Sequence, residues 1–416
     1  MQKHYISLLR NEGIFMISIG VDVSIDKSMV CIMKPGGRIL KSPFEMPHST
    51  ESLIKLVELI NSYEEEVRVV LENTGHYHLP VVAFLVENGI FTTCVNALRM
   101  KKFCSQSIRR AKTDRIDSMQ IAQFGITYWN ELTPITLSNN VYQELRLLSR
   151  QYHKCISMLV KAKVNLNTLL DQTMPGVKML MSDSSSNHKL TDFVKRYYHY
   201  DHILEMGERR FVSDYCKMAK KQGYRMYEHL ANEIFAMAQS GIPVLPNTDI
   251  TKSVVLEAVR ILREIEVTRD TIISQMQELA KSLPEFYVVR EMAGIGDVLA
   301  PRIIAEIGDI RRFKNKHSLV AYAGIDAPPY QSGKFNAAER HISKRGNSYL
   351  RKIGYEIMQS KIKHKIEGDP VYDFICKKRL EGKSGKEAMI AGLNKFLRVY
   401  YGKVIKIYEG QLTISD

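Results

Sequence analysis

The stretch Ile17-Ser18-Ile19-Gly20-Val21-Asp22-Val23 decides the fold of the first part of the chain. Its alternating, β-branched residues predict a strand that ends near Asp22. Met29 to Met33 predicts a second strand, and a third begins at Arg38 after the turn at Pro35-Gly36-Gly37. We therefore expect a three-stranded meander whose first strand ends in a carboxylate.

Helices and strands alternate after the meander. Thr50 to Tyr63 has helical spacing, and Val67 to Glu72 predicts a strand that also ends in an acid. A helix through Pro80 to Glu87, a strand from Phe91 to Asn96 and a helix from about Thr113 complete the pattern. The order β-β-β-α-β-α-β-α is that of an α/β ribonuclease-H-like domain, in which the ends of the first and fourth strands are neighbours.

The last helix of this unit begins with two acids among basic residues. Asp114 and Asp117 are three residues apart, so both carboxylates would share one helix face. Such a pair is more often a solvated, salt-bridged surface. With Asp22 and Glu72, however, it makes four hard oxygen ligands from three segments, which favours a two-metal site holding Mg²⁺ or Mn²⁺ for chemistry at phosphorus. The basic residues that would hold a polyanion there are Arg109, Arg110, Lys112 and Arg115.

The composition indicates a nucleic-acid partner. The 416 residues include 59 Lys and Arg against 45 Asp and Glu, a formal net charge of +14. This balance favours a nucleic-acid or phosphate-rich partner without distinguishing DNA from RNA. Six isolated cysteines predict buried thiols in a reducing compartment, and no apolar run reaches the length of a membrane span. We expect a cytoplasmic, nucleoid-associated protein.

The middle of the chain has a different pattern. Tyr142 to Asp171 and Ala258 to Leu279 carry apolar residues on a heptad, which predicts long coiled-coil helices. Both an antiparallel hairpin within one chain and a dimerisation arm satisfy this pattern. The intervening segment, 172–250, is interpreted as a polar and irregular insertion. Its aromatic run from Tyr197 to Tyr200 would be either helix surface or a platform for single-stranded nucleic acid.

Pro284 begins a third region with two candidate DNA contacts. Arg290 to Ala300 is typical of a helix-hairpin-helix turn, in which Gly294 and Gly296 would leave backbone N–H groups free for a phosphate. Ser332 lies in a glycine-flanked loop and is either a nucleophile for a phosphodiester or an ordinary cap or turn residue. The basic residues that would clamp the phosphates of the scissile strand are Arg340, Lys344, Arg345 and Arg351.

Several of these motifs, in this order, resemble one family, the DEDD transposases of the insertion-sequence-110 type, relatives of the pilin-gene invertases. The resemblance covers Ile17 to about Trp129 and Pro284 to about Ile362. The motifs that carry it are Gly20 to Ser24, Glu72 to Tyr77, Asn96 to Asp117, Tyr322 to Gly333 and Ser343 to Asn347.

The resemblance implies a RuvC-like domain whose acids Asp22, Glu72, Asp114 and Asp117 bind Mg²⁺. It also implies a C-terminal transposase domain in which Ser332 attacks DNA and forms a phosphoserine link. Members of the family are guided by a structured noncoding RNA and build composite sites between subunits, which implies a dimer or tetramer. The alternatives are a metal-dependent, junction-resolvase-like nuclease that uses water as nucleophile, and a noncatalytic nucleic-acid-binding protein.

We accordingly expect four regions along the chain. Residues 1–15 would be an extension, with Met16 as an alternative start. Residues 16–135 would form the RuvC-like domain, 136–283 the helical coiled-coil region with its insertion, and 284–416 a mainly α-helical transposase domain.

Overall fold

The computed structural model describes residues 16–410 except 74, 106–112, 136–139, 185–186, 226, 328–330, 333–334 and 337–340, and only the backbone of 331, 332, 335 and 336. The chain divides into two compact units, Met1–Leu137 and Ser138–Asp416. Among the described residues, none of the helices combines the length and the apolar character that crossing a membrane requires.

A five-stranded mixed sheet forms the centre of the first unit. Its strand order is β3-β2-β1-β4-β5. The first three strands are antiparallel neighbours, and β4 and β5 join β1 in parallel. This is the ribonuclease-H-like order, so the predicted fold of this unit is confirmed. The strands are β1 (Met16–Val23), β2 (Lys27–Lys34), β3 (Arg38–Pro47), β4 (Glu66–Asn73) and β5 (Thr92–Asn96).

Four helices in the described part of the first unit cover the two faces of the sheet. Ile17, Ile19 and Val21 of β1 are fully buried in the larger apolar core, on the face covered by the first two helices. The other face holds a smaller core, with Val70 of β4 packed against Ile121 and Phe124. The helices are α1 (Thr50–Asn61), α2 (His78–Glu87), α3 (Ala97–Cys104) and α4 (Asp114–Thr127).

Two long helices of one chain pack against each other in the second unit. They are α5 (Asn140–Thr173) and α11 (Asp249–Lys281). Tyr142 shares a core with Ala280, whereas the Cys155 thiol donates to the Ile265 carbonyl at 3.4 Å. Because these contacts advance along α5 while they retreat along α11, the two helices are antiparallel. Of the two arrangements predicted from the heptads, the structure shows the hairpin within one chain.

The described residues between α5 and α11 form five helices, so the expectation of a polar, irregular segment is wrong. Tyr197 and Tyr200 are fully buried, and their hydroxyls donate to Asp214 (2.8 Å) and to the Pro175 carbonyl (2.8 Å). Both predicted roles for these rings, helix surface and nucleic-acid platform, are therefore wrong as well. The helices are α6 (Val177–Leu180), α7 (Lys189–Tyr197), α8 (Tyr200–Met206), α9 (Glu208–Lys221) and α10 (Glu228–Ser240).

The C-terminal part is mainly helical, as predicted. It shares one core with the N-terminal end of α5 and the C-terminal end of α11. Because Met276 and Phe286 belong to this core, it runs across the predicted boundary at residue 283. The helices are α12 (Glu285–Arg290), α13 (Leu299–Ile307), α14 (Lys316–Ala323), α15 (Ser348–His364), α16 (Pro370–Leu380) and α17 (Gly385–Tyr408), and a small hairpin joins β6 (Gln331–Ser332) to β7 (Phe335–Asn336).

Candidate active site

Asp22 and Glu72 lie at adjacent ends of two parallel strands. The register pairs Val21 of β1 with Leu71 of β4, so the two acids occupy the next position on each strand. Both are partly exposed. Side chains alternate along a strand, so Asp22 lies on the same face of the sheet as Gly20, and Glu72 on the same face as Val70. The prediction that these acids are neighbours in one sheet agrees with this register.

Helix α4 crosses that same face in backbone contact with β1. A Cβ atom on Gly20 would lie 2.2 Å from the Ser118 carbonyl oxygen, and one on Gly125 would lie 2.1 Å from Ser18 Oγ. As α4 advances from 118 to 125, the strand position beneath it retreats from 20 to 18, so the helix runs antiparallel to β1. Its first turn therefore points to the end of β1 that carries Asp22.

That first turn holds Asp114 and Asp117. Thr113 caps the helix, with its hydroxyl accepting from the Ile116 N–H at 3.3 Å. The positive end of the helix dipole favours acids here. Asp114 is exposed and Asp117 is partly exposed. Elements that are distant in sequence thus bring all four predicted acids to one end of the sheet.

The pKa of the Cys104 thiol, at the end of α3, is affected by the acids at this end of the sheet. Burial raises the pKa of this thiol, and the carboxylates of Asp117 and Glu72 raise it further. Both acids are therefore within electrostatic reach of one group. Their hard oxygens suit Mg²⁺ or Mn²⁺. However, among the residues that the structure describes, no three Asp, Glu, His or Cys side chains are gathered closely enough to hold an ion, so metal binding stays a prediction.

Several basic side chains of the first unit lie on α3 and α4, the helices next to the acids in sequence. Arg115 is exposed on the first turn of α4, and Lys101 and Lys102 are exposed on α3. Arg99 instead packs over the rings of Phe124 and Tyr128, at 5.2 and 4.7 Å. Three predicted phosphate contacts lie outside the described residues: Arg109, Arg110 and Lys112.

Ser332 lies on the hairpin of β6 and β7 in the second unit. Its backbone pairs with that of Phe335. The base of the loop is held by three backbone hydrogen bonds. The N–H groups of Ser343, Lys344 and Asn347 donate to the carbonyls of Asp326 (2.8 Å), Gly324 (2.9 Å) and Tyr322 (2.7 Å).

Two glycines allow the chain segments at this base to approach closely. Gly324 has φ +67°, and a Cβ there would lie 2.8 Å from the Gly346 nitrogen. A Cβ on Gly346 would lie 2.3 Å from the Tyr322 carbonyl oxygen. Arg351 reinforces the same place by donating from Nη1 to the Ala323 carbonyl at 2.9 Å. The motifs 322–324 and 343–347 therefore form one clamp from which the serine hairpin extends.

A buried carboxylate that sequence reasoning missed supports this clamp. Glu306 of α13 is fully buried and accepts from Asn347 Nδ2 at 2.7 Å. Asn347 in turn caps α15, with its side chain accepting from the N–H groups of Tyr349 and Leu350. The residues from Arg302 to Ile307 are typical of an apolar helix. Nothing in their sequence shows that the Glu306 side chain is buried and not on the surface.

Arginine side chains lie close to Glu306 and Tyr322, at the base of the serine loop. The guanidinium of Arg312 lies 4.4 Å from the Tyr322 ring centre, and Arg150 Nε lies 3.7 Å from Glu306 Oε1. Burial alone would raise the pKa of the Tyr322 hydroxyl, but the charges of Arg312 and Arg146 outweigh burial and lower it. The base of the serine loop is therefore an electropositive region around one buried acid.

The remaining predicted phosphate contacts lie in different settings. Gly294 has φ +79° and a Cβ there would lie 2.7 Å from Lys361 Cγ, whereas Gly296 is exposed with open space around it. Lys344 and Arg345 are exposed at the clamp. Arg340 lies outside the described residues. Contact of these residues with phosphates stays a prediction.

Comparison with known proteins yields two family models. A DEDD transposase model of the IS110 type matches residues 19–175, and a model of the transposase IS116/IS110/IS902 family matches residues 287–373. Together they match more than half of the chain. An uncharacterised 44.8 kDa protein of insertion element IS116 from Streptomyces clavuligerus is 21% identical over 375 residues, which cover 90% of this chain and 91% of that protein.

Two solved structures of RuvC from Thermus thermophilus are also similar. One, in complex with a Holliday junction substrate, is 13% identical, covers 29% of this chain and 100% of that chain, and has a TM-score of 0.23. The other is 14% identical with the same coverage and a TM-score of 0.24. The fold assignment rests on the strand order rather than on these scores. Both family models match in the order in which the motifs predicted them, and the chain belongs to the IS110-type transposases, enzymes of DNA transposition with a RuvC-like N-terminal domain.

Proposed function

We propose that this transposase is a site-specific DNA recombinase of a mobile insertion sequence, and that Ser332 carries the DNA strand as a phosphoserine. The acids Asp22, Glu72, Asp114 and Asp117 would assist at the phosphorus. The observation that supports the proposal most directly is the antiparallel course of α4 over β1, which brings acids from three segments to one end of the sheet.

The chemistry follows from the groups available. The Ser332 hydroxyl oxygen forms a bond to phosphorus while the bond from phosphorus to one nucleoside oxygen breaks. An ionised carboxylate of the acid set accepts the serine proton, and the carboxyl group protonated in this way donates a proton to the departing nucleoside oxygen. When bound by these acids, a divalent ion such as Mg²⁺ or Mn²⁺ supplies positive charge where charge develops on the phosphate oxygens. The reverse reaction on a second strand rejoins DNA, so the phosphodiester energy is conserved.

The basic side chains would position the substrate. Lys344 and Arg345 are exposed at the clamp of the serine loop, and Arg115 is exposed beside the acids. Contacts of such cations with phosphates fix the register of DNA without reading its sequence. The predicted set also includes Arg109, Arg110, Lys112, Arg340, Arg351 and the turn at Gly294 and Gly296.

Further parts of the proposal rest on family membership. A structured noncoding RNA would guide the enzyme to its sites. Two or four subunits would combine so that the acids of one face the serine of another. The enzyme would act in the cytoplasm, on nucleoid DNA.

The deciding experiment looks for a covalent protein–DNA adduct. Purified full-length protein is incubated with RNA transcribed from the ends of the element, Mg²⁺ and labelled donor DNA, and the products are separated on denaturing gels. We expect an adduct with wild type, none with Ser332→Ala, and an undiminished adduct with Ser253→Ala, an exposed helical serine. Asp22→Asn and Asp114→Asn should each reduce the adduct by about 100-fold or more. Nicked DNA without an adduct from both wild type and Ser332→Ala would show that water is the nucleophile and that the enzyme is a nuclease.

A further inference from the structure

Helix α9 of the insertion presents an exposed face with a high positive charge. The cations on it are Arg209, Arg210, Lys217, Lys220 and Lys221. Among the described residues, none of them lies within 4 Å of a carboxylate oxygen, the distance of an ion pair. The one acid in the middle of the helix, Asp214, is held by Arg196, whose Nε donates to it at 2.6 Å. Lys217 lies close enough to help lower the pKa of the Asp214 carboxyl, after the larger effect of Arg196. The face is therefore offset only in part by this one acid of α9.

Helix α11 of the same unit differs, because two of its arginines are paired with acids. Arg260 is paired with Glu257 at 2.5 Å and also with Glu264, and Arg263 is paired with Asp192 at 2.7 Å. On α9, by contrast, Lys217 and Lys221 are four residues apart, where like charges repel and destabilise a helix. A face that retains such repulsion is suited to an external polyanion.

The charged face borders a groove between α9 and α10. The groove has a volume of about 730 Å³, and Arg209, Lys217 and Lys220 form its basic wall together with Ser213. Glu208, Glu228 and Asn232 also line it. Phosphates would be attracted to the α9 wall and repelled by the two carboxylates. Those carboxylates and Asn232 would instead meet groups that donate hydrogen bonds, such as base amino groups or ribose hydroxyls.

An exposed aromatic residue follows α9 in the sequence, directly before α10. Tyr227 is 41% exposed and precedes α10, whose first turn follows the connection from the end of α9. The Arg225 guanidinium lies 5.1 Å from the centre of its ring. The rings of Tyr197, Phe211 and Tyr215, in contrast, are buried in the core of the insertion. A basic track that ends in an accessible ring is typical of surfaces that bind single strands by stacking.

We infer that the face made by α9 and Tyr227 binds a single-stranded nucleic acid, with phosphates along α9 and one base stacked on Tyr227. From Arg209 to Lys221 the helix spans about 18 Å at 1.5 Å per residue, enough to follow several phosphates of one strand. The two family models match residues 19–175 and 287–373, so this surface lies in a part of the chain that neither covers. The inference holds whether or not Ser332 is the nucleophile.

Binding by the full-length protein is the first test. Fluorescence anisotropy with a 20-nucleotide oligo(U) RNA, the corresponding oligo(dT) and a 20-base-pair DNA duplex is recorded over a range of salt concentrations. In Lys217→Ala/Lys220→Ala/Lys221→Ala we expect affinity for both single strands to fall by about 10-fold or more and the salt slope to fall by about 2. The control Lys154→Ala/Lys161→Ala/Lys314→Ala removes the same charge from exposed positions elsewhere and should change much less.

Stacking is tested separately. Tyr227→Ala should weaken single-strand binding by about 5- to 100-fold, and Tyr227→Phe should restore it because the ring is retained. Because other basic surfaces of the chain can also bind, a 4-thiouridine-labelled RNA and its DNA counterpart are photo-crosslinked and the peptides mapped. We expect crosslinks at residues 225–229. Equal binding of RNA and DNA would indicate backbone recognition, and tighter RNA binding would indicate contact with the 2′-hydroxyl. A triple variant that binds like its control, or crosslinks absent from the insertion, would overturn the inference, as would a preference for duplex.

Discussion

The four acids of the first unit and the serine loop of the second are positioned by different kinds of interaction, core packing in one case and a few hydrogen bonds in the other. The acids lie at the ends of β1, β4 and α4, elements fixed by a buried core and by direct backbone contact at Gly20. The serine hairpin extends from a clamp that depends on three backbone hydrogen bonds and one buried acid. Because that packing involves the whole core of the first unit whereas the clamp depends on a few hydrogen bonds, we expect the clamp to open locally more readily than the acids are displaced.

This difference would matter for the proposed reaction, in which Ser332 and the acids act together. Carboxylates that assist at phosphorus need a fixed geometry, because small displacements are costly in rate. A nucleophile that forms a covalent link to one strand and then returns it benefits from a loop that can move between positions. We therefore expect damage to the first site to appear as lost stability, and damage to the second as altered loop dynamics.

The largest effect is expected for Gly20→Ala. The added Cβ would lie 2.2 Å from the Ser118 carbonyl oxygen and 2.3 Å from the Ala122 nitrogen, so α4 has to move away from β1. We expect the free energy of unfolding of the first unit to fall by about 3 kcal/mol, near the upper part of the range for overpacked cores. Thermal and urea denaturation measure it.

A neighbouring position provides the control for this change. Ser18 is on the same face of β1, fully buried, and its hydroxyl has no hydrogen-bond partner among the described residues. Ser18→Ala removes this buried hydroxyl and should leave stability unchanged or slightly raised. If both variants were equally stable, the packing of α4 on the sheet would not be what fixes the acids.

The sheet of the first unit was accessible from sequence because its signals are local. Alternation at Ile17 to Val23, the turn at Pro35 to Gly37 and the acid after Val67 to Leu71 are each read within a few residues. The neighbourhood of Asp22 and Glu72 then followed from topology, since ends of adjacent parallel strands meet. The first turn of α4 could be added because its cap and its acid spacing are local as well.

The insertion and the clamp could not be predicted because their determinants are nonlocal. Tyr197 looks like a surface aromatic in a polar segment, and its burial depends on helices that close around it from residues 211 to 235. Glu306 is an acid in an apolar helix, and its partner Asn347 lies 41 residues further along the chain. The heptads predicted two long coiled-coil helices, α5 and α11, but periodicity alone does not say whether the partner of each belongs to the same chain.

A smaller effect, confined to the second site, is expected for Gly346→Ala. Its Cβ would lie 2.3 Å from the Tyr322 carbonyl oxygen and 2.6 Å from the Gly324 nitrogen, so the two segments of the clamp would separate. We expect about 2 kcal/mol of destabilisation and a loss of adduct formation that exceeds the loss of folded protein.

The matched control for Gly346→Ala is Gly402→Ala in α17. A Cβ at position 402 meets no atom within 4 Å, and alanine is the better helix former by about 1 kcal/mol. This variant should be slightly more stable and fully active. Circular dichroism measures the folded fraction and the denaturing gel measures adduct formation, so a loss of folding is distinguished from a loss of activity. Equal activity of the two variants would mean that the clamp does not position the serine.

The smallest effect on stability is expected for Glu306→Ala. This variant tests most directly whether the clamp of the serine loop depends on a few hydrogen bonds. Asn347 Nδ2 loses its charged acceptor, which should cost about 1 kcal/mol because weaker contacts to Tyr322 OH (3.3 Å) and the Glu306 carbonyl (3.4 Å) remain. Hydrogen exchange should nevertheless speed up at the amides of Ser343, Lys344 and Asn347, which close the clamp. Glu306→Gln keeps an acceptor for Asn347 and should restore slow exchange.

Glu266 offers the matched control for this buried acid. It is 7% exposed on α11, Lys163 Nζ lies 3.7 Å from its Oε1, and His188 Nδ1 lies 3.5 Å from its Oε2. Glu266→Ala removes a carboxylate from a similar setting, yet no part of the serine loop touches it. Its stability cost should be comparable while the clamp amides keep their exchange rates. Faster exchange at the clamp in Glu266→Ala would mean that any loss of a buried charge loosens the unit, and the local role of Glu306 would have to be abandoned.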